Sequence, residues 1–143
     1  MRKVVVDASV VLKWIPGKRE ENKDEARELY RLMMQDKIVV YAPTFLLIEV
    51  LNILIMKRKA ARQLVRKDIG RLLCSRIFFS QISLDEINKL EEVMLATGTT
   101  SYDAIYLWVA QKNDCKLVTF DSDLLKIKSL AISIEDYLRL YGN

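Results

Sequence analysis

The chain has 143 residues, 51% of them apolar, and carries 23 Lys and Arg against 19 Asp and Glu for a net charge of +4. That length and apolar share suit a single folded domain with its own core, and no apolar run approaches the ~20 residues of a membrane span. There is no histidine, which excludes Ser-His-Asp triads, imidazole general bases and most zinc sites, so any catalysis has to rest on carboxylates, hydroxyls, lysines or bound cations.

The N-terminus starts basic but holds only three valines before Asp7, which makes no signal peptide and leaves the cytoplasm as the expected compartment. Lys3 to Val6 reads as a buried strand ending at Asp7. The following ASVVLKW fits a short helix broken by Pro16 and Gly17. Residues 16–24, PGKREENKD, read as a charged surface loop. Ala26, Leu29, Tyr30 and Met33 keep helical spacing within Asn22 to Asp36. KIVVYAP is a second strand. Pro43 and Thr44 then open a long apolar helix, PTFLLIEVLNILI, in which Glu49 is the one ionisable side chain. Phe45 and Ile53 stand one turn before and after it, so no local basic partner exists. An unpaired carboxylate in apolar surroundings is penalised by several kcal/mol, and its partner must come from elsewhere in the fold or from a cation. Asn52 lies three residues on, on the same helix face.

Ala61 to Leu73 is again helical in spacing, and RIFFSQI is a third strand. Ser83 and Glu86 have capping-box spacing before a helix that stops at Gly98. TSYDAIYLWVAQKN is another helix, with Asp103 in its first turn. CKLVTFD is a fourth strand running into Asp121, LAISI a fifth, and EDYLRLYG a closing helix. Cys74 and Cys115 lack C-x-x-C spacing and read as buried free thiols.

Strands alternating with helices imply right-handed crossovers and a parallel sheet covered on both faces. Ligands of such sheets bind beyond the carboxyl ends of the strands, where Asp7 and Asp121 would lie. Each acid alone has an ordinary explanation: Asp7 and Asp121 as helix caps, Asp103 as an acid favoured by a helix dipole. Glu49 has none. Carboxylates converging at one edge repel, and hard cations such as Mg²⁺ or Mn²⁺ resolve this with oxygen ligands and water. The repulsion predicts that Asp7→Asn or Glu49→Gln raises the melting temperature of metal-free protein.

VVVDASVVLKW, APTFLLIEVLNIL, TSYDAIYLWVAQ and KLVTFDSDL, in that order and spacing, resemble the PIN-domain family, and within it the VapC-type ribonucleases of toxin–antitoxin pairs. The resemblance covers nearly the whole chain. It implies one PIN-like domain over residues 1–143, a three-layer α/β/α sandwich around a mainly parallel sheet of about five strands. It also implies a Mg²⁺- or Mn²⁺-dependent endoribonuclease, a cognate antitoxin and a homodimer. Carried over residue by residue, the metal-binding catalytic quartet is Asp7, Glu49, Asp103 and Asp121, with Thr119 the hydroxyl beside it. Asp123 is either a fifth acid or, the favoured reading, the cap of a helix starting near Leu124.

Lys57 to Arg76 holds eight basic residues and one acid, Asp68. Arg58, Arg62 and Arg66 repeat every four residues and read as one side of a helix: an ordinary solvated face, a surface for RNA phosphates or one for an acidic antitoxin, with the phosphate surface favoured beside an acidic pocket. Competing readings are weaker. An aspartate-nucleophile phosphatase wants an acid two residues after Asp7, where Ser9 stands. A phosphate-receiving signalling domain wants paired acids at the first strand. A PIN-like RNA-binding module without cleavage, or an RNA-processing nuclease without an antitoxin, remains as the alternative.

Overall fold

The computed structural model describes residues 1–16 and 23–141. Most of the expected loop at 16–24 therefore lies outside the described residues. Lys23 and Asp24 already belong to a helix.

The elements run β1 (Arg2–Val6), α1 (Ala8–Val11), α2 (Lys23–Met34), β2 (Ile38–Pro43), α3 (Phe45–Asn52), α4 (Arg62–Leu73), β3 (Ile77–Ser80), α5 (Ile87–Thr97), α6 (Ser101–Lys112), β4 (Lys116–Val118), β5 (Ala131–Ile132) and α7 (Ile134–Tyr141). They follow the sequence reading closely, and their ends have local causes. The Ser83–Glu86 capping box forms, and Gly98 closes α5 in the left-handed conformation, φ 68°. Asp36 and Asp114 turn the chain out of α2 and α6 with positive φ, 55° and 52°.

The sheet order is β3-β2-β1-β4-β5, and every pairing is parallel. The sheet grows outward from β1 in both directions, so the crossover sense reverses between β1 and β4. Val4, Val5 and Val6 are all fully buried. Successive strand residues face opposite sides, so helices must cover both faces, which makes the expected three layers. α6 lies across β1, β2 and β4 with α5 outside it, while α2 packs on β2 and against α7. Among the described residues no helix is long and apolar enough to cross a membrane.

Four expectations need correction. Pro43 does not open α3; it ends β2, paired in register with Ser80. α3 does not run on as one regular helix: it passes into a wider π-helical turn at Ile53–Lys57. The chain then breaks at Lys59, with φ 48°, so Arg58 stands before the break and only Arg62 and Arg66 share α4. Both thiols are free, but neither is buried: Cys74 is exposed and Cys115 half-buried.

Candidate functional site

The crossover sense reverses between β1 and β4, and the region beyond the carboxyl ends of strands at such a reversal is where open α/β sheets bind ligands. Val6 pairs with Val118, so the next residues, Asp7 and Thr119, emerge side by side. Asp7 is 7% exposed. Its Oδ1 accepts from Ser9 Oγ at 2.5 Å and, as the cap of α1, from the Val10 N–H at 3.3 Å. Its Oδ2 accepts from Thr119 Oγ1 at 2.5 Å. Both hydroxyls are oriented from behind. Ser9 Oγ accepts the Phe120 N–H at 3.1 Å, and Thr119 Oγ1 accepts the Asp121 N–H at 3.0 Å. Each hydroxyl proton is therefore left to point at Asp7. Burial pushes the Asp7 pKa up, and these donors pull it back.

Glu49 emerges from α3 and is half-buried. Tyr106 Oη on α6 donates to its Oε1 at 2.5 Å. This is the partner the sequence could not supply locally, and it is neutral. The Glu49 pKa is raised by burial first and then by the charges of Asp7 and Asp103, against the Tyr106 hydrogen bond. Burial and Glu49 in turn hold the Tyr106 hydroxyl far above its usual range, so it stays a donor. Asp103 sits in the first turn of α6, where Thr100 Oγ1 accepts its N–H at 3.3 Å. Its pKa is raised by burial, then by the charge of Asp121 and, after an opposing Thr100 hydrogen bond, of Asp123. The charges of Asp7 and Asp103 thus bear on Glu49, and those of Asp121 and Asp123 on Asp103, which links acids from the end of β1, α3, α6 and the loop after β4.

Asp121 Oδ1 accepts the N–H groups of Asp123 and Leu124 at 2.8 and 3.2 Å. It therefore performs the capping expected of Asp123, which instead reaches Lys126 at 2.9 Å and is exposed. Asn52 is exposed at the end of α3. Arg58, Arg62 and Arg66 are all exposed. Two contributors lie outside the residues expected from the sequence: Ser9, which stands where a phosphatase would carry a second acid, and Tyr106. The spacing held a signal for Tyr106, since it follows Asp103 by three residues on one helix.

The donor set is all oxygen and all carboxylate, which suits a hard divalent cation. Among the described residues no three acid or thiol side chains form a ready-made cation cage.

A PIN domain family model matches residues 4–130. Among solved structures, PAE2754 of Pyrobaculum aerophilum superposes with a TM-score of 0.69 at 21% identity, over 99% of this chain and 96% of that one. VapC20 of Mycobacterium tuberculosis, a toxin that cleaves the sarcin–ricin loop, gives 0.68 at 17% identity, over 87% of this chain and 94% of that one. VapBC2 of Rickettsia felis, bound to a DNA fragment from its promoter, gives 0.66 at 13% identity, over 92% and 98%. At these identities the likeness is one of fold. No protein of curated function matches the chain in sequence.

Proposed function

The chain belongs to the PIN domain family, and from that premise we propose that it is a Mg²⁺- or Mn²⁺-dependent endoribonuclease, the cytoplasmic toxin of a VapC-type toxin–antitoxin pair. The observation that carries this reading is the linked set of carboxylates beyond the ends of β1 and β4, in which the charges of Asp7 and Asp103 act on Glu49 and the charge of Asp121 acts on Asp103. Such an arrangement is costly unless something positive enters it.

Asp7, Glu49, Asp103 and Asp121 would hold the cation. When bound, it would supply charge stabilisation to a phosphodiester and lower the pKa of a water molecule. The chain's own groups do the rest. Ser9, Thr119 and the Val10 N–H keep Asp7 an oriented acceptor. Tyr106 aims Glu49 and stays protonated beside it. The turn after β4 fixes Asp121 through two backbone N–H groups. Arg58, Arg62 and Arg66 supply an exposed basic surface for RNA phosphates.

A partner antitoxin is proposed from the likeness to the VapBC2 complex, and a homodimer from the apolar face of α3 and its π turn. There Ile48 is 61% exposed and Met56 66%. A non-cleaving RNA-binding module is the competing reading, favoured by the open arrangement of the acids.

Asp103→Asn separates the two. The Thr100 cap of the residue-103 N–H is untouched, and Asn keeps an oxygen for the Thr100 hydrogen bond to the side chain, so the variant should fold. Cleavage of single-stranded RNA with Mn²⁺ should fall roughly 100-fold or more, a loss of about 2.7 kcal/mol of transition-state stabilisation. Activity within threefold of the parent, or equal cleavage by the parent in EDTA, removes this site from the chemistry.

A further inference from the structure

A cleft of about 420 Å³ lies between the turn after α1, α2 and α4, and none of Asp7, Glu49, Asp103 and Asp121 lines it. Lys13, Lys23, Arg27 and Arg71 line it, with Trp14 and Tyr30 in one wall. Asp68, the one acid among the described residues that line it, is buried and 3.8 Å from Arg71. Trp14 is anchored: its Nε1 donates to the Ala26 carbonyl at 2.7 Å. Tyr30 packs edge-on against it with ring centroids 5.3 Å apart, and is 39% exposed. A rigid aromatic surface thus stands beside a ring of cations.

The cleft also adjoins the acidic crevice. Lys13, in its wall, carries its Nζ 5.7 Å from the centre of the Phe120 ring. Phe120 lies between Thr119 and Asp121, and its N–H holds Ser9. Lys13 thus lines the cleft and touches the residue between Thr119 and Asp121.

We infer that this cleft holds the single-stranded RNA flanking the scissile phosphate, with Lys13 and Arg27 against its phosphates and Tyr30 against a base. The inference rests on the nuclease reading of the acidic crevice. Cations together with an exposed aromatic face match what a single strand presents, phosphate and base at once. An acidic peptide would need the cations but leave the aromatic face unused. The volume admits a splayed nucleotide but no duplex.

The test is binding without cleavage: anisotropy of a labelled eight-nucleotide oligo-uridine in EDTA, across a salt series. Lys13→Gln/Arg27→Gln should weaken binding and make the log–log salt slope shallower by about 1.4, at ~0.7 per lost phosphate contact. Tyr30→Leu should weaken binding roughly tenfold with the slope unchanged, while Tyr30→Phe should bind as the parent does. Thermal melts check that each variant is folded. Parent-like affinity and slope in the folded double variant overturn the inference. So does a double variant that binds RNA normally but loses a glutamate-rich peptide which the parent binds, because the cleft then serves an acidic protein. Cleavage by the parent with Mn²⁺ is scored separately. A parent that does not cleave but binds through the cleft defeats only the nuclease reading. A parent that cleaves while the variants bind unchanged defeats only the cleft.

Discussion

At Asp7 three donors converge on one buried carboxylate, and this reverses what charge repulsion alone predicts. Asp7→Asn would set an amide N–H₂ against hydroxyls whose acceptor sides are already used by Phe120 and Asp121. The variant should therefore melt below the parent, by about 1–3 kcal/mol for donors left unsatisfied. Glu49→Gln differs, because Gln keeps an oxygen for Tyr106 while removing the charge that Asp7 and Asp103 oppose. It should melt about 3 °C above the parent in EDTA. Added Mn²⁺ should stabilise the parent by ~2.7 kcal/mol at 100 times Kd, and Glu49→Gln by less. Thermal melts of the three proteins with EDTA and with Mn²⁺ check all of this; a Glu49→Gln variant that melts below the parent in EDTA refutes the repulsion. The pH sign follows from the raised values. Folding disfavours the charged forms of Glu49 and Asp103, so that penalty is present at neutral pH and is relieved as pH falls through their folded pKa values.

Among the elements, the junction of α5 and α6 responds to pH with the opposite sign. Glu86 accepts from Trp108 Nε1, from Lys112 Nζ at 3.0 Å and from the Ser83 N–H and hydroxyl at 3.3 and 3.1 Å. These donors, Trp108 first, bring its pKa down to about 2. A depressed carboxylate stabilises the fold above its unfolded pKa of 4.5, and that contribution is lost as pH falls from there toward about 2. The side chain is 21% exposed, so after solvent screening the contribution is about 1–2 kcal/mol. Urea unfolding at pH 6 and pH 3 should show this loss in the parent and not in Glu86→Gln. An equal acid loss in both would place the effect elsewhere.

Across the whole molecule, the reversal of crossover sense puts the carboxylate edge and the cleft of α1, α2 and α4 beside each other. It leaves the outer face of α3 and its π turn apolar and open. Ile48, Leu51, Ile55 and Met56 are between 36% and 66% exposed there. Contiguous apolar surface of this kind marks association sites. If this face joins two copies, Ile48→Glu/Ile55→Glu should sediment as a monomer where the parent sediments as a dimer, with an unchanged far-ultraviolet spectrum. A parent that is monomeric at high micromolar concentration refutes the homodimer.

The order of elements was legible in the sequence because each is set by local physics. β-branched runs made β1 and β2, helical spacing made α2 and α4, and the Ser83 cap with the Gly98 stop bounded α5. The parallel sheet followed from the alternation, and the positions of Asp7 and Asp121 at strand ends followed from the sheet. Register and long-range contact were not legible, because they depend on which strands become neighbours. Only the pairing of Val6 with Val118 brings Thr119 to Asp7 across 112 residues of chain. Only the packing of α3 beside α6 gives Glu49 its Tyr106. The sequence determined that Glu49 needed a distant partner. The tertiary structure decided that this partner is a neutral hydroxyl, which orients the carboxylate without cancelling its charge and so leaves the crevice negative.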